Sequence, residues 1–200
     1  MFFVMLPKRS VRVDRALKYK ALQGSNMTGS ADRDYMCELE ILPMTEDDLG
    51  EVMHIETRSF PDPWTPLAYA MELRHNHDAH YEVVRDTTGA IVGYIGWWNL
   101  PSISFITHVA VHPDLRRSGI GHVLVNRAIS QIREAGASCV RLLVRASNDA
   151  GRAFYTKLGF VETGREKDYY SNPTEDGIAM EVLFESSDKD KHALEVTHER

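Results

Sequence analysis

Apolar and polar residues change rhythm repeatedly along this chain, and each change marks an element. Glu38-Leu39-Glu40-Ile41-Leu42 alternates with period two, as a half-buried strand does. Thr45 before Glu46-Asp47-Asp48 predicts a helix start, because a threonine cap and acids in the first turn suit its open N–H groups. Pro61-Asp62-Pro63-Trp64 breaks that helix, and Thr65-Pro66 opens a second, shorter one with proline at its first position. Tyr81 to Arg85 and Ala90 to Trp98 read as a hairpin around Thr87-Thr88-Gly89. Ile103 to Val111 is a further strand, closed by His112-Pro113-Asp114. From about Gly119 to Ala135, Ile120, Leu124, Ala128 and Ile132 recur at helical spacing, and Gly136 ends the run. Val140 to Val144 is a strand, and Ser147-Asn148 caps a helix to Lys157 that Gly159 stops. Val161 to Tyr170 and Ile178 to Phe184 complete the strands. The order β-α-α-β-β-β-α-β-α-β-β, without internal repeat, predicts an α/β domain over residues 37–185 with strand-to-helix crossovers in its middle. Trp97 and Trp98 read as packing residues at the end of the hairpin strand.

The two ends differ from this middle. Residues 1–36 carry Lys8, Arg9, Arg12, Arg15, Lys18 and Lys20 and read as a flexible basic extension, with Met27 and Met36 as alternative starts. A basic arm that grips RNA or a membrane surface is the other reading. Residues 186–200 alternate charges without an apolar face and read as a solvated tail. The whole chain has 200 residues, 23 Lys+Arg against 29 Asp+Glu, and 43% hydrophobic residues. That is the composition of a soluble globular protein, and the acidic balance speaks against a nucleic-acid coat and for a basic partner. No apolar run approaches the roughly 18–20 residues of a membrane span. Met1 to Leu6 precedes the basic residues instead of following them, the wrong order for a signal peptide. Cys37 and Cys139 stand far apart, which excludes a disulfide framework or zinc finger and points to the cytoplasm. His75, His77 and His80 have ligand-like spacing, but beside Asn76 and Asp78 they read as a solvated loop, so no metal is expected.

The most informative segment is Val109-Ala110-Val111-His112-Pro113-Asp114-Leu115-Arg116-Arg117-Ser118-Gly119-Ile120-Gly121. A strand ends, a proline turns the chain, and Arg-x-x-Gly-x-Gly leads into a helix. Glycines there let main-chain N–H groups curl inward, and the helix N-terminus adds open donors and partial positive charge. Such a cradle holds a pyrophosphate. Neither the Gly-x-Gly-x-x-Gly spacing of a dinucleotide fold nor the Gly-Lys-Ser/Thr of a P-loop is present.

This segment resembles the acyl-CoA-binding motif of the GNAT superfamily of N-acetyltransferases, Arg/Gln-x-x-Gly-x-Gly/Ala after a Val-x-Pro strand end. Val144-Arg145-Ala146-Ser147-Asn148, Ala153-Phe154-Tyr155 and Leu158-Gly159-Phe160 resemble its second CoA-contacting half. Ser59-Phe60 with Pro63-Trp64, and Asp168-Tyr169-Tyr170, are similar to a narrower branch, the RimI-like protein N-terminal acetyltransferases. The resemblance implies an α/β (α+β) fold of GNAT type: a mixed, mostly antiparallel, splayed sheet with helices on both faces. It implies acetyl-CoA as cosubstrate, held by Val109, Ala110, Val111, Arg116, Arg117, Ser118, Gly119, Ile120, Gly121, His122 and Asn148. Asn148 taken alone reads first as a helix cap, and the resemblance brings the ligand reading level with it. The acceptor implied is a protein or peptide N-terminus, a basic ribosomal protein among the candidates. A small-molecule amine, or a catalytically weak acyl-CoA-binding module, are the competing readings.

Acetyl transfer requires a neutral amine, a held thioester and a proton for the leaving thiolate. Tyr155 stands where the family has its general acid. The family's base does not carry over, because the branch has Leu-Glu-Val-Arg where this chain has Leu142-Leu143-Val144-Arg145. Neutralising an α-amine of pKa about 7.7–8.0 at pH 7 costs only about 1 kcal/mol, against about 4.6 kcal/mol for a lysine. Lack of a base is therefore more tolerable for an α-amine. His108 reads either as a base acting through water or as a histidine paired within the sheet. Glu56 either faces the acceptor groove or lies on a solvated helix face. Phe60 and Trp64, with Tyr169 and Tyr170, are the candidate walls of an acceptor slot, although paired tyrosines in a strand also serve as packing.

Overall fold

A computed structural model of the chain describes residues 17–21 and 37–184. The strands are β1 (Leu17–Ala21), β2 (Cys37–Pro43), β3 (Ala79–Arg85), β4 (Ile91–Trp98), β5 (Ile103–Val111), β6 (Cys139–Arg145), β7 (Val161–Ser171) and β8 (Thr174–Leu183). The helices are α1 (Leu49–Ser59), α2 (Pro66–His75), α3 (Ile120–Glu134) and α4 (Asp149–Lys157). One sheet runs β1-β2-β3-β4-β5-β6-β8-β7. Only β5 and β6 pair in parallel; the other neighbours are antiparallel. That parallel pair is what the α3 crossover demands, since parallel neighbours cannot be joined by a tight turn. The mixed, mostly antiparallel sheet with a helix layer on each face is the architecture expected.

Each face has its own core. Ile120, Leu124, Ala128 and Ile132, the apolar stripe of α3, are all buried against Ile95, Trp97, Leu142 and Met180, and Phe160 after α4 joins them. On the opposite face Val52, Ile55 and Tyr69 of α1 and α2 cover Val83, Tyr94 and Ala110. Asn148 caps α4 as its sequence position predicts, its Oδ1 accepting the Gly151 N–H at 2.8 Å. Thr45 and Asp48 cap a single 3-10 turn instead of the helix itself, which begins at Leu49.

Two irregularities in this sheet build the site. Pairing between β5 and β6 stops at Phe105↔Arg141. Beyond it Ile106–Val111 follows β4 while Leu142–Arg145 follows β8, so the two strands splay into a wedge. Within β5 the register jumps from Trp97↔Ile106 to Gly96↔His108, leaving Thr107 as an extra residue. Ile106 and Val109, three apart, consequently pack on the α3 face, while His108 and Ala110 turn toward α1 and α2. Gly96 opposite this bulge is sterically required: a Cβ there would fall 2.3 Å from Cε1 of Tyr81.

Two expectations need amendment. Leu17–Ala21, inside the segment set aside as a flexible extension, pairs along β2 as an edge strand. The rest of that extension, the starts at Met27 and Met36 and the tail from Ser186 lie outside the described residues. His80 is not in a loop but on β3, its ring stacked 5.3 Å from that of Trp97. No helix among the described residues is long and apolar enough to cross a membrane.

Candidate active site

The cofactor side begins where β5 ends. The His112 N–H donates to the Val92 carbonyl at 2.9 Å, so strand alternation turns the peptide groups of Val111 and Val109 away from β4, into the wedge. Ala110, grouped with them on sequence, does not reach the wedge. It is paired with Tyr94 and buried in the α1–α2 core. After the Pro113–Leu115 turn, Arg117 and Gly119 both take left-handed conformations, with φ of 68° and 92°. The Ser118 hydroxyl donates to the Leu115 carbonyl at 2.6 Å and closes the loop. Gly119 is the N-cap of α3 and offers no side-chain oxygen, so helix geometry leaves the first amides, at Ile120, Gly121 and His122, for an anion. Arg116 folds back on the loop: its Nε donates to the Val111 carbonyl at 3.4 Å and its guanidinium also donates to the Ser59 hydroxyl at 3.2 Å, tying the loop to the end of α1. His122 packs edge-on against Phe154, 4.8 Å between centroids.

On the opposite face α1 and α2 contribute an aromatic wall. Glu56 does not face a groove; it is 1% exposed, and its carboxylate is consumed beneath that wall. One oxygen accepts the Trp64 N–H at 2.8 Å, and the other accepts the hydroxyls of Tyr69, at 3.1 Å, and of Tyr94. Burial pushes its pKa up against the pull of these three donors. The frame so fixed surrounds His108 with the rings of Trp64, Tyr69 and Phe60 at 4.2, 5.5 and 6.3 Å. Its Nδ1 is buried with no hydrogen-bond partner among the described residues. Burial lowers its pKa to about 4, so the ring is neutral at pH 7.

The second wall is the β7–β8 hairpin. The Tyr170 hydroxyl donates to the Leu143 carbonyl at 3.1 Å, and the Arg145 guanidinium lies 4.2 Å above its ring. Residues 167–169 bulge opposite Asp176, Asp168 adopting φ 52° with its N–H on the Asp176 carboxylate at 2.9 Å. The bulge lifts Tyr169 to 55% exposure, edge-on to Tyr170 at 5.0 Å. Ser171 at the hairpin end bonds Asp62 in the α1–α2 loop at 3.2 Å. That bond ties the hairpin carrying Tyr169 and Tyr170 to the loop between Phe60 and Trp64.

Tyr155, on α4, packs between Phe154 at 5.0 Å and Phe160 at 5.6 Å. Its hydroxyl bonds no described residue, and burial, with the nearby Tyr170, pushes its pKa above the ordinary phenol value. It therefore holds its proton at any physiological pH. Leu143, paired with Ala179 on β6, supplies no acid or base.

Residues 49–160 match the acetyltransferase (GNAT) family. The chain belongs to that family. Over 141 residues, 70% of this chain and 93% of the relative, it is 34% identical to a putative [ribosomal protein bS18]-alanine N-acetyltransferase of Bacillus subtilis. Over 143 residues, 68% of this chain and 87% of the relative, it is 32% identical to the N-alpha-acetyltransferase RimI of Mycobacterium tuberculosis. The crystal structure of the ribosomal-protein-S18-alanine N-acetyltransferase of Escherichia coli superposes with a TM-score of 0.67 at 26% identity, covering 74% of this chain and 96% of that one. This GNAT chain is an acyltransferase that uses acetyl-CoA. The loop at 117–122 and the amides of Val109 and Val111 suit that cosubstrate, offering anion donors and a strand edge that β6 leaves unpaired in succession, with the Val111 carbonyl taken by Arg116.

The sequence does not reveal Tyr69, Tyr94, Asp62 or Ser171 as neighbours of the predicted site residues. Asp62 and Ser171 lie in separate turns, and the tyrosines read as core. Only their shared bonds to Glu56 and to each other give them away.

Proposed function

We propose that this enzyme acetylates the α-amine of a protein or peptide N-terminus, of the ribosomal-protein-alanine kind, by direct attack on acetyl-CoA. The observation that carries the reading is the two-walled slot. The Asp62–Ser171 bond joins the loop between Phe60 and Trp64 to the hairpin of Tyr169 and Tyr170, which supports reading these aromatics as two walls that admit a chain end as an extended strand. The names of the relatives from Bacillus subtilis and Mycobacterium tuberculosis support it. So does Leu143: a chain without the carboxylate at this position is better suited to an amine that is already partly neutral at pH 7.

Acetyl-CoA, when bound, supplies an activated acyl group on a thiol leaving group. Val109 and Val111 would hold its arm through main-chain bonds, the Ser118–His122 amides would bind its phosphates, and Asn148, the N-cap of α4, would add a contact. Tyr155 donates its hydroxyl proton to the leaving sulfur. The reading implies a cytoplasmic enzyme. Mass spectrometry of peptides and small amines incubated with the protein and acetyl-CoA tests it. Acetyl on peptide α-amines is expected, and acetyl confined to ε-amines or polyamines overturns it.

A further inference from the structure

We propose that His108 is the catalytic base, taking the proton that the acceptor nitrogen releases as it attacks, in place of the carboxylate that Leu143 cannot provide. The inference rests on the acetyl-transfer activity assigned above but not on which amine is acetylated.

Position comes first. The Thr107 bulge sets His108 on the face where Phe60 and Trp64 line the slot, immediately before Val109, whose peptide group turns into the wedge. His108 thus sits between the acceptor side and the cofactor side. Its ring is enclosed but not sealed, for the residue retains partial exposure. A second observation is the unpartnered Nδ1. Buried polar atoms are nearly always bonded, and one left open beside a reaction site marks a group held for substrate or for a transient proton.

The surroundings also fit the task. Glu56 on α1 spends its oxygens on Trp64, Tyr69 and Tyr94, so its carboxylate is held by those donors and not by the imidazole. Tyr69 on α2 meets the ring with its π-system, as do Trp64 and Phe60. With no counter-charge bonded to it, a protonated His108 passes its proton on to water. A ring of pKa about 4 is a weak base that does not deprotonate a free ammonium, and it takes the proton only as bonding to carbon makes the nitrogen far more acidic.

The step balances. The nitrogen lone pair forms the bond to the acetyl carbon, and an N–H proton passes to the imidazole. The carbon–sulfur bond breaks with its electron pair on sulfur, which takes the Tyr155 proton. Water then removes the proton from His108 and restores one to Tyr155, giving amide and thiol.

The test uses the full chain with acetyl-CoA and whichever amine the parent acetylates, so a wrong acceptor class does not spoil it. His108→Phe fills the same aromatic cage without a nitrogen, and His108→Gln serves if that variant does not fold. Expected for a variant of parental CoA affinity by calorimetry is a kcat about 10²- to 10³-fold lower at pH 7. KM for the amine should stay within about threefold, and the parent-to-variant ratio should narrow about tenfold from pH 7 to 9 as hydroxide substitutes for the base. A folded variant within about tenfold of parental kcat, or a ratio that does not change with pH, overturns the proposal. A parent inactive on every amine overturns the enzymatic assignment itself.

Discussion

The Ser171 hydroxyl donates to a carboxylate oxygen of Asp62 at 3.2 Å, joining two turns 109 residues apart in sequence. One turn ends the β7–β8 hairpin and the other separates α1 from α2, so the bond spans the rim of the slot. It holds the Asp62 carboxylate at the edge of the proposed acceptor slot.

Breaking that bond should loosen the acceptor while sparing the chemistry. Ser171→Ala removes one exposed hydrogen bond, and Asp62→Ala removes that bond and the charge. Steady-state kinetics with a peptide acceptor should show KM raised about threefold in the first and about tenfold in the second, with kcat within about twofold.

Tyr155→Phe deletes a single oxygen that bonds no described residue, so folding should be unaffected. We expect kcat to fall about 10²-fold with CoA affinity unchanged by calorimetry. Because burial raises the phenol pKa, the parent keeps this proton as pH rises, and its rate should not decline between about pH 8 and 10.

At Gly119 the issue is backbone alone. A Cβ there meets nothing within 4 Å, but φ is 92°. Gly119→Ala should therefore cost about 1–2 kcal/mol of strain, and the loop's relaxation should weaken CoA binding roughly tenfold by titration.

The stability of the fold should depend on pH through His108. Its folded pKa of about 4 lies below the unfolded value of about 6.5, so the unfolded chain binds more protons between those limits. Stability is full above about pH 6.5 and declines by up to about 3 kcal/mol as pH falls to about 4. Denaturant titrations of the parent and His108→Phe should diverge across that window, the variant losing less.

Much of this architecture is legible in the sequence where punctuation is strong. Ile103–Val111 and the cap at Asn148 agree with the structure residue for residue, since proline, glycine and asparagine leave the backbone few alternatives there. The shape of the loop at 117–121 is equally readable, because glycine and the helix start fix its backbone locally. Glu56 is not: a glutamate on an amphipathic helix reads as solvated until two tyrosines from α2 and β4 are brought onto it. The face His108 takes is hidden for another reason. Period-two counting from Ile103 passes straight through Thr107, and only the register against β4 exposes the extra residue. Leu17–Ala21 escapes notice because alternating lysines resemble a solvated arm.

Where β5 and β6 part, the sheet leaves main-chain groups without a strand partner in its middle and not at its border, although Tyr170 and Arg116 take the carbonyls of Leu143 and Val111. Such groups ordinarily invite a foreign strand and aggregation. Here they are flanked by β4 and β8 and roofed by helices, so the gap admits a thin, flexible thread and refuses a folded neighbour. Hydrogen exchange at 106–111 should slow on adding CoA while that of β2 and β3 stays as it was, a signature of a cosubstrate that completes the ladder.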